Sequence, residues 1–267
     1  MVKHRRKTRA EPDKTARTNA MSLLWDGPAE STRGPKAGLT LHAIVQAGLH
    51  VVDAEGLGAL TMARVADELG VTPMATYRHI PSKEELLDLM IDAAFSDAPR
   101  CSAEDWRNEL AKWGRAELAL FRKRPWLLQT VLQRVAMGPK WTAWLDAALT
   151  ALSSTSLRGS ELFAAVTLVD AHVRAAAQIF VGAPGAWAEN FNYVLGRASQ
   201  DPRLTGLAHA IGQSLEEADE SIEGEILDQF EFGLERILDG IESLLRSRAA
   251  GNHKSYRQRS AKRNSRK

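Results

Sequence analysis

Residues 61–90 read TMARVADELGVTPMATYRHIPSKEELLDLM. Two short helical runs, 62–69 and 73–79, meet at Leu69-Gly70-Val71-Thr72. Gly70 can take the left-handed turn that residues with a Cβ resist. Ala66 is small where two helices must cross closely, and Val65, Leu69, Val71 and either Tyr77 or Ile80 can form a miniature core between them. Pro81 stops the second run. Ser82 and Glu85 then form a capping box that opens a further helix to about Phe95. Helix, tight turn, second helix is the pattern of a helix-turn-helix, whose second helix enters the major groove of DNA. Helical hairpins also occur in proteins that bind no DNA, so the side chains must carry the rest of the argument.

The groove helix begins near Thr72, and its early residues are the ones that meet base edges. Thr72 can hydrogen-bond a base or a phosphate, and Met74 and Ala75 can touch a thymine methyl group. Thr76, Tyr77 and His79 are polar at a spacing that reaches phosphates, and Arg78 and Lys83 add charge. Thr61 and Arg64 open the preceding helix, whose N-terminal dipole favours a phosphate. Each has a plainer reading beside this one. Tyr77 can be a core aromatic, His79 a helix-end cap, Arg78 and Lys83 solvated charges, and Met74 a core filler.

Outward from this segment, residues 40–55 carry Leu41, Ile44, Val45, Leu49 and Val52 on one stripe, which predicts the first helix of a three-helix head spanning 38–98. Further helices are expected over 104–122, 124–136, 140–153, 159–181 and 220–247, with two weaker ones over 186–198 and 203–218. No stretch alternates apolar and polar residues for long enough to predict a strand. The fold class is therefore all-α, a helix-turn-helix head followed by a helical bundle over 99–247. Residues 1–37 and 248–267 lack apolar periodicity, and both are expected to be disordered.

The chain has 267 residues and a net charge of +2. That small figure hides tails of +5 (1–37) and +8 (248–267), which leave residues 38–247 at −11. Basic ends on an acidic body suit a polyanionic partner, although basic tails also serve solubility alone. No run of about 18 uncharged apolar residues occurs, so no membrane-spanning helix is expected. The basic N-terminus lacks the apolar region of a secretory signal. A single cysteine, Cys101, excludes an intramolecular disulfide and fits a reducing cytoplasm.

The order and spacing of Asp53-Ala54-Glu55-Gly56-Leu57, Leu60-Thr61-Met62, Val65-Ala66, Leu69-Gly70-Val71, Tyr77-Arg78-His79-Ile80 and Ser82-Lys83-Glu84-Glu85-Leu86-Leu87 resemble the DNA-binding domain of the TetR family of bacterial repressors. The resemblance covers about 50 residues. It implies phosphate contacts from Tyr77, His79 and Lys83, and base reading by Thr72, Met74 and Ala75. The chain departs from the family pattern at Thr76, where Leu is frequent, and by placing Pro73 early in the groove helix. Further on, Arg124-Pro125-Trp126-Leu127-Leu128 is similar to the tetracycline-repressor-type C-terminal class. That similarity implies a ligand pocket in a helical bundle and a dimer through two late helices. The apolar faces of 159–181 and 220–247 are wide enough to feed both a core and a partner chain.

For the pocket, Trp126, Trp141 and Trp144 are candidate apolar walls, and His172 and Gln178, in an otherwise apolar helix, are candidate polar contacts for a small hydrophobic effector. Each tryptophan can equally be core, and His172 can be a core histidine bonded to a backbone group. The expected partners are thus an operator duplex, an effector and a second copy of the chain. A ligand-independent DNA-binding regulator is the alternative. No cofactor or metal is expected. Cys101 has no nearby His and the seven histidines form no HExxH pair, so an enzyme is not expected.

Overall fold

In the computed structural model the described residues are 14–27, 39–181 apart from 132 and 135, scattered positions between 193 and 209, and 222–264. Among them there are ten long or well-formed α-helices and no strand: α1 (Lys14–Trp25), α2 (Leu41–Glu55), α3 (Met62–Glu68), α4 (Pro73–Tyr77), α5 (Lys83–Ala94), α6 (Trp106–Lys123), α7 (Pro125–Val131), α8 (Pro139–Leu152), α9 (Gly159–Val181) and α10 (Ile222–Asn264). They divide into two compact units. The first is Met1–Ala98 with Gln129–Trp144, and the second is Pro99–Leu128 with Leu145–Lys267.

In the first unit α2 is the hub. α3 and α5 both pack on it, and α4 packs on α3. Side-chain caps fix where these helices start. Thr40, Thr61 and Ser82 each accept the backbone N–H three residues on, at 3.0–3.1 Å. The Ser82–Glu85 box closes through the side chains, with the Ser82 hydroxyl donating to Glu85 Oε2 at 3.2 Å. Gly70 sits at φ +65° and makes the turn between α3 and α4. Ile44, Leu60, Val65, Ala66, Ile80, Leu86 and Met90 are fully buried. Ile80, not Tyr77, fills the core behind α4, because Tyr77 is 45% exposed.

In the second unit α6 and α10 both pack against α9. Leu110, Phe121, Val169, Val173, Phe230, Leu234 and Leu238 form its core. Arginines of α6 bind acids of α10: Arg107 to Glu235, Asp239 (2.7 Å) and Glu242 (3.3 Å), and Arg115 to both carboxylate oxygens of Glu231 at 2.7 Å. By length and mean hydropathy α9 could cross a bilayer, although it carries Glu161, Asp170 and Arg174 and so holds no long uncharged run. Its Asp170–Arg174 pair (2.7 Å) and its packing on α6 and α10 instead place it as a bundle helix.

Within the described residues, part of each tail is helical where disorder was expected. α1 occupies 14–25, with Ala20 buried, and packs on α5. The Trp25 indole N–H donates to the Met137 carbonyl at 3.0 Å. The breakers that argued against structure there, Pro12 and Gly27, lie just outside the helix. α10 runs to Asn264 although 248–264 has no apolar stripe. Elongating a formed helix needs only residues that tolerate it, whereas nucleating one needs more. α7 ends at Val131, short of the expected 136. The helices expected over 186–198 and 203–218 fall largely outside the described residues.

Candidate nucleic-acid interface

α4 is five residues long and starts at Pro73, whose fixed φ suits a first helical position. Thr72 precedes it in extended conformation, is exposed, and makes no side-chain cap bond, so its hydroxyl is not consumed by the helix. Met74 is 65% exposed, a large apolar side chain in water on a short helix. Ala75 and His79 are half-buried, Tyr77 and Arg78 exposed, and Lys83 half-buried in the first turn of α5. Thr72, Met74, Ala75, Tyr77, Arg78, His79 and Lys83 thus fall within one short stretch, from the residue before α4 to the first residue of α5.

Three of the expected contacts look different in the structure. Thr76 is fully buried, and its hydroxyl donates to the Pro73 carbonyl at 2.8 Å. It belongs to the core where the family pattern has an apolar residue, and it cannot meet a phosphate. Arg64 is held by Glu55 (2.6 Å) and Glu68 (2.9 Å), and the hydrogen bond to Glu55 is the main influence raising its pKa. Its charge is already matched inside the protein. Thr61 is exposed, with its oxygen capping α3. The i,i+4 spacing of Arg64 and Glu68 was a readable signal of this pairing. Glu55, on α2, was not.

The five effector candidates are divided between the two units. Trp141 and Trp144 lie in the first unit, and Trp126, His172 and Gln178 in the second. Trp144 is buried edge-on to Phe95, with its indole N–H donated to the Ser96 carbonyl at 2.9 Å. His172 stacks on Phe230, and its Nε2 lies 2.8 Å from the Phe230 carbonyl, the backbone-bonded reading of this residue. Gln178 is exposed and Trp126 buried. Sequence reasoning passed over Glu117, which is buried between α6 and α9 with no hydrogen-bond partner on Oε2. Burial first, then the charge of Asp170, pushes its carboxyl well above the usual range. Among the described residues no group of three His, Cys, Asp or Glu could hold a metal ion.

Two family models match this chain. Residues 44–90 match the bacterial regulatory proteins of the tetR family, and residues 98–245 match the tetracyclin repressor-like C-terminal domain. The chain belongs to the tetR family of bacterial regulatory proteins. These are helix-turn-helix repressors that regulate transcription by binding DNA. Among relatives of this tetR-family chain, the HTH-type transcriptional repressor DrrR1 of Streptomyces coeruleorubidus is 37% identical over 233 residues, 85% of this chain and 86% of that protein. An HTH-type transcriptional regulator of Saccharopolyspora erythraea is 27% identical over 58% of this chain and 66% of its own length. Among solved structures, the tetR-family protein ActR of Streptomyces coelicolor in complex with (S)-DNPA superposes with a TM-score of 0.64 at 27% identity, covering 78% of this chain and all of ActR. ActR in complex with actinorhodin gives 0.63 at 27% identity, covering 78% and 98%.

Proposed function

We propose that the protein is a ligand-responsive repressor that binds a palindromic operator as a homodimer and is released by a small hydrophobic molecule, acting in the cytoplasm. The observation that carries the DNA-binding part is the contrast across α4. Thr76 and Ile80 are sealed into the core, while Met74 and Tyr77 stand in water. A monomeric surface has little reason to hold a methionine and a tyrosine on a five-residue helix unless both meet a partner. Thr72, Met74 and Ala75 read bases, and Tyr77, His79 and Lys83 hold phosphates.

The dimer reading rests on α9 and α10. Phe163, Leu168, Phe232 and Leu244 are exposed on these two helices, more apolar surface than a solvated helix face needs. Pairing α9 and α10 with a second copy about a two-fold axis makes an isologous four-helix interface, and a dimer can present two recognition helices about one DNA turn apart. The ligand reading is supported by the ActR complexes with actinorhodin and (S)-DNPA. To shift operator binding, the effector must favour one state by ~1–3 kcal/mol.

The test is selection of duplexes from a random-sequence pool by the full-length chain, followed by a thermal-shift screen of hydrophobic small molecules. The reading expects a two-fold symmetric site and a molecule that raises stability while releasing that duplex. A chain that selects no duplex would defeat it, and one whose affinity no molecule alters would be a ligand-independent regulator.

A further inference from the structure

The first unit contains a stretch remote in sequence from the reading head, residues 129–144, and its bonds to α5 follow a regular spacing. The Arg134 guanidinium grips Asp88 with two bonds, Nε to Oδ1 at 2.7 Å and Nη2 to Oδ2 at 2.8 Å, and Nη2 also reaches the Glu84 carbonyl at 3.3 Å. The backbone N–H groups of Trp141 and Lys140, in the first turn of α8, donate to the two carboxylate oxygens of Asp92 at 2.9 and 3.4 Å. Trp144 donates its indole N–H to the Ser96 carbonyl. The acceptors are 84, 88, 92 and 96, each four residues from the last. Four residues is slightly more than one helical turn, so the four acceptors form a single row along α5 and just past its end.

The row is also sterically fixed. A Cβ on Gly138 would lie 2.3 Å from Asp92 Cγ, so only glycine lets the chain pass this close to the carboxylate that caps α8. Asp88 and Asp92 are buried, and a buried carboxylate stripped of its donors is costly. On its other side α5 packs on α2, where Met90 lies against Gly48, and α2 carries α3. The row therefore acts on the element to which the helix-turn-helix is attached.

We propose that Arg134, Asp88, Asp92 and Gly138 are positioning residues for operator binding: this row of bonds sets the seat of α5 and thereby the spacing of the two half-sites the protein accepts. The proposal rests on the dimeric, operator-binding reading above. Arg134 and Gly138 need touch no DNA. The bidentate Arg–carboxylate fork fixes orientation as well as distance, which a single-point contact would not.

The experiment measures the affinity of full-length wild type, Arg134→Ala and Gly138→Ala for the duplex selected by the wild type. The same measurement is made on versions of that duplex with one base pair added or removed between half-sites. Both variants should lose about tenfold on the selected duplex, the scale of one disrupted buried pair, and lose less or gain on an altered spacing. Unchanged affinity and spacing preference would overturn the proposal. So would a loss equal at every spacing, which is what mere destabilisation gives. If Arg134→Ala does not fold, Arg134→Lys keeps the charge without the fork and answers the same question. A wild type that selects only duplexes without two half-sites removes the underlying reading as well, whereas variants indistinguishable from a spacing-selective wild type remove this inference alone.

Discussion

The Thr76 hydroxyl is turned back onto the Pro73 carbonyl, 2.8 Å away, at the buried side of α4. It serves the helix and not a ligand. Thr76→Val should cost about 1 kcal/mol of stability, the typical worth of a hydrogen bond, and leave operator affinity within about threefold. Tyr77→Ala should do the reverse, lowering affinity about tenfold with little change in melting temperature, since an exposed residue carries little packing. Anisotropy titrations and thermal melts on the same preparations separate the two.

Lys83 and Tyr77 are expected to differ in salt dependence. A lysine on a phosphate releases a counterion, so Lys83→Ala should lower affinity across duplex sequences and reduce the slope of log affinity against log salt by about 1. Tyr77→Phe removes a neutral donor and should leave that slope unchanged. A Lys83→Ala slope equal to wild type would place Lys83 off the backbone.

Phe163 and Phe232 are more than half exposed on α9 and α10. Phe163→Glu with Phe232→Glu should convert the dimer to a monomer in sedimentation velocity while the helical signal persists. A double variant that still sediments as a dimer would move the interface elsewhere.

Glu117 gives a pH signature. Its carboxyl titrates well above 4.5 in the folded chain, because burial disfavours its charge and Asp170 adds repulsion. The folded state thus prefers the protonated form. That stabilisation is present below the unfolded value and is lost as pH rises through the folded one. Glu117→Gln cannot lose that proton, so its advantage over wild type should grow from acid to pH 8 and reach on the order of 1–3 kcal/mol. A gap independent of pH would show that folding does not raise the Glu117 carboxyl.

Arg248 ties α10 to Glu161 at the start of α9, holding that carboxyl down at about 2. The sign is opposite to that of Glu117. The contribution is complete above 4.5 and fades as pH falls towards about 2. Arg248→Ala should melt below wild type at neutral pH, and the two curves should converge through that window. The pair is only half-buried, so added salt should narrow the gap too.

The head was legible because its signals are local. Gly70, the Thr61 and Ser82 caps and the spacing from Val65 to Ile80 each act within a few residues. The assignment of Thr76 to DNA failed for a physical reason: a threonine at a core position of a helix satisfies its hydroxyl on a carbonyl one turn back, and spacing cannot show which face it occupies. The helical parts of the tails were not legible because composition measures the ability to nucleate structure, while α1 is held by packing on α5 and α10 continues a helix already formed. The effector residues were selected by type, and no periodicity indicates that Trp144 bonds Ser96 or that His172 bonds Phe230. The partners of Asp88 and Asp92 lie 46 and 49 residues away and leave no trace in either segment.

Because Gln129–Trp144 belongs to the same unit as Met1–Ala98, the chain leaves the reading head, returns to it and leaves again. A head cut from the protein at residue 98 would lose the strap that satisfies Asp88 and Asp92, and would present two unpaired acids on the side of α5 that this stretch covers. The head is thus no transplantable cassette. Exchanging it between relatives would mean moving two segments, 1–98 and 129–144, through three junctions, and a chimera made at the first junction alone should fold poorly even when both parents are stable.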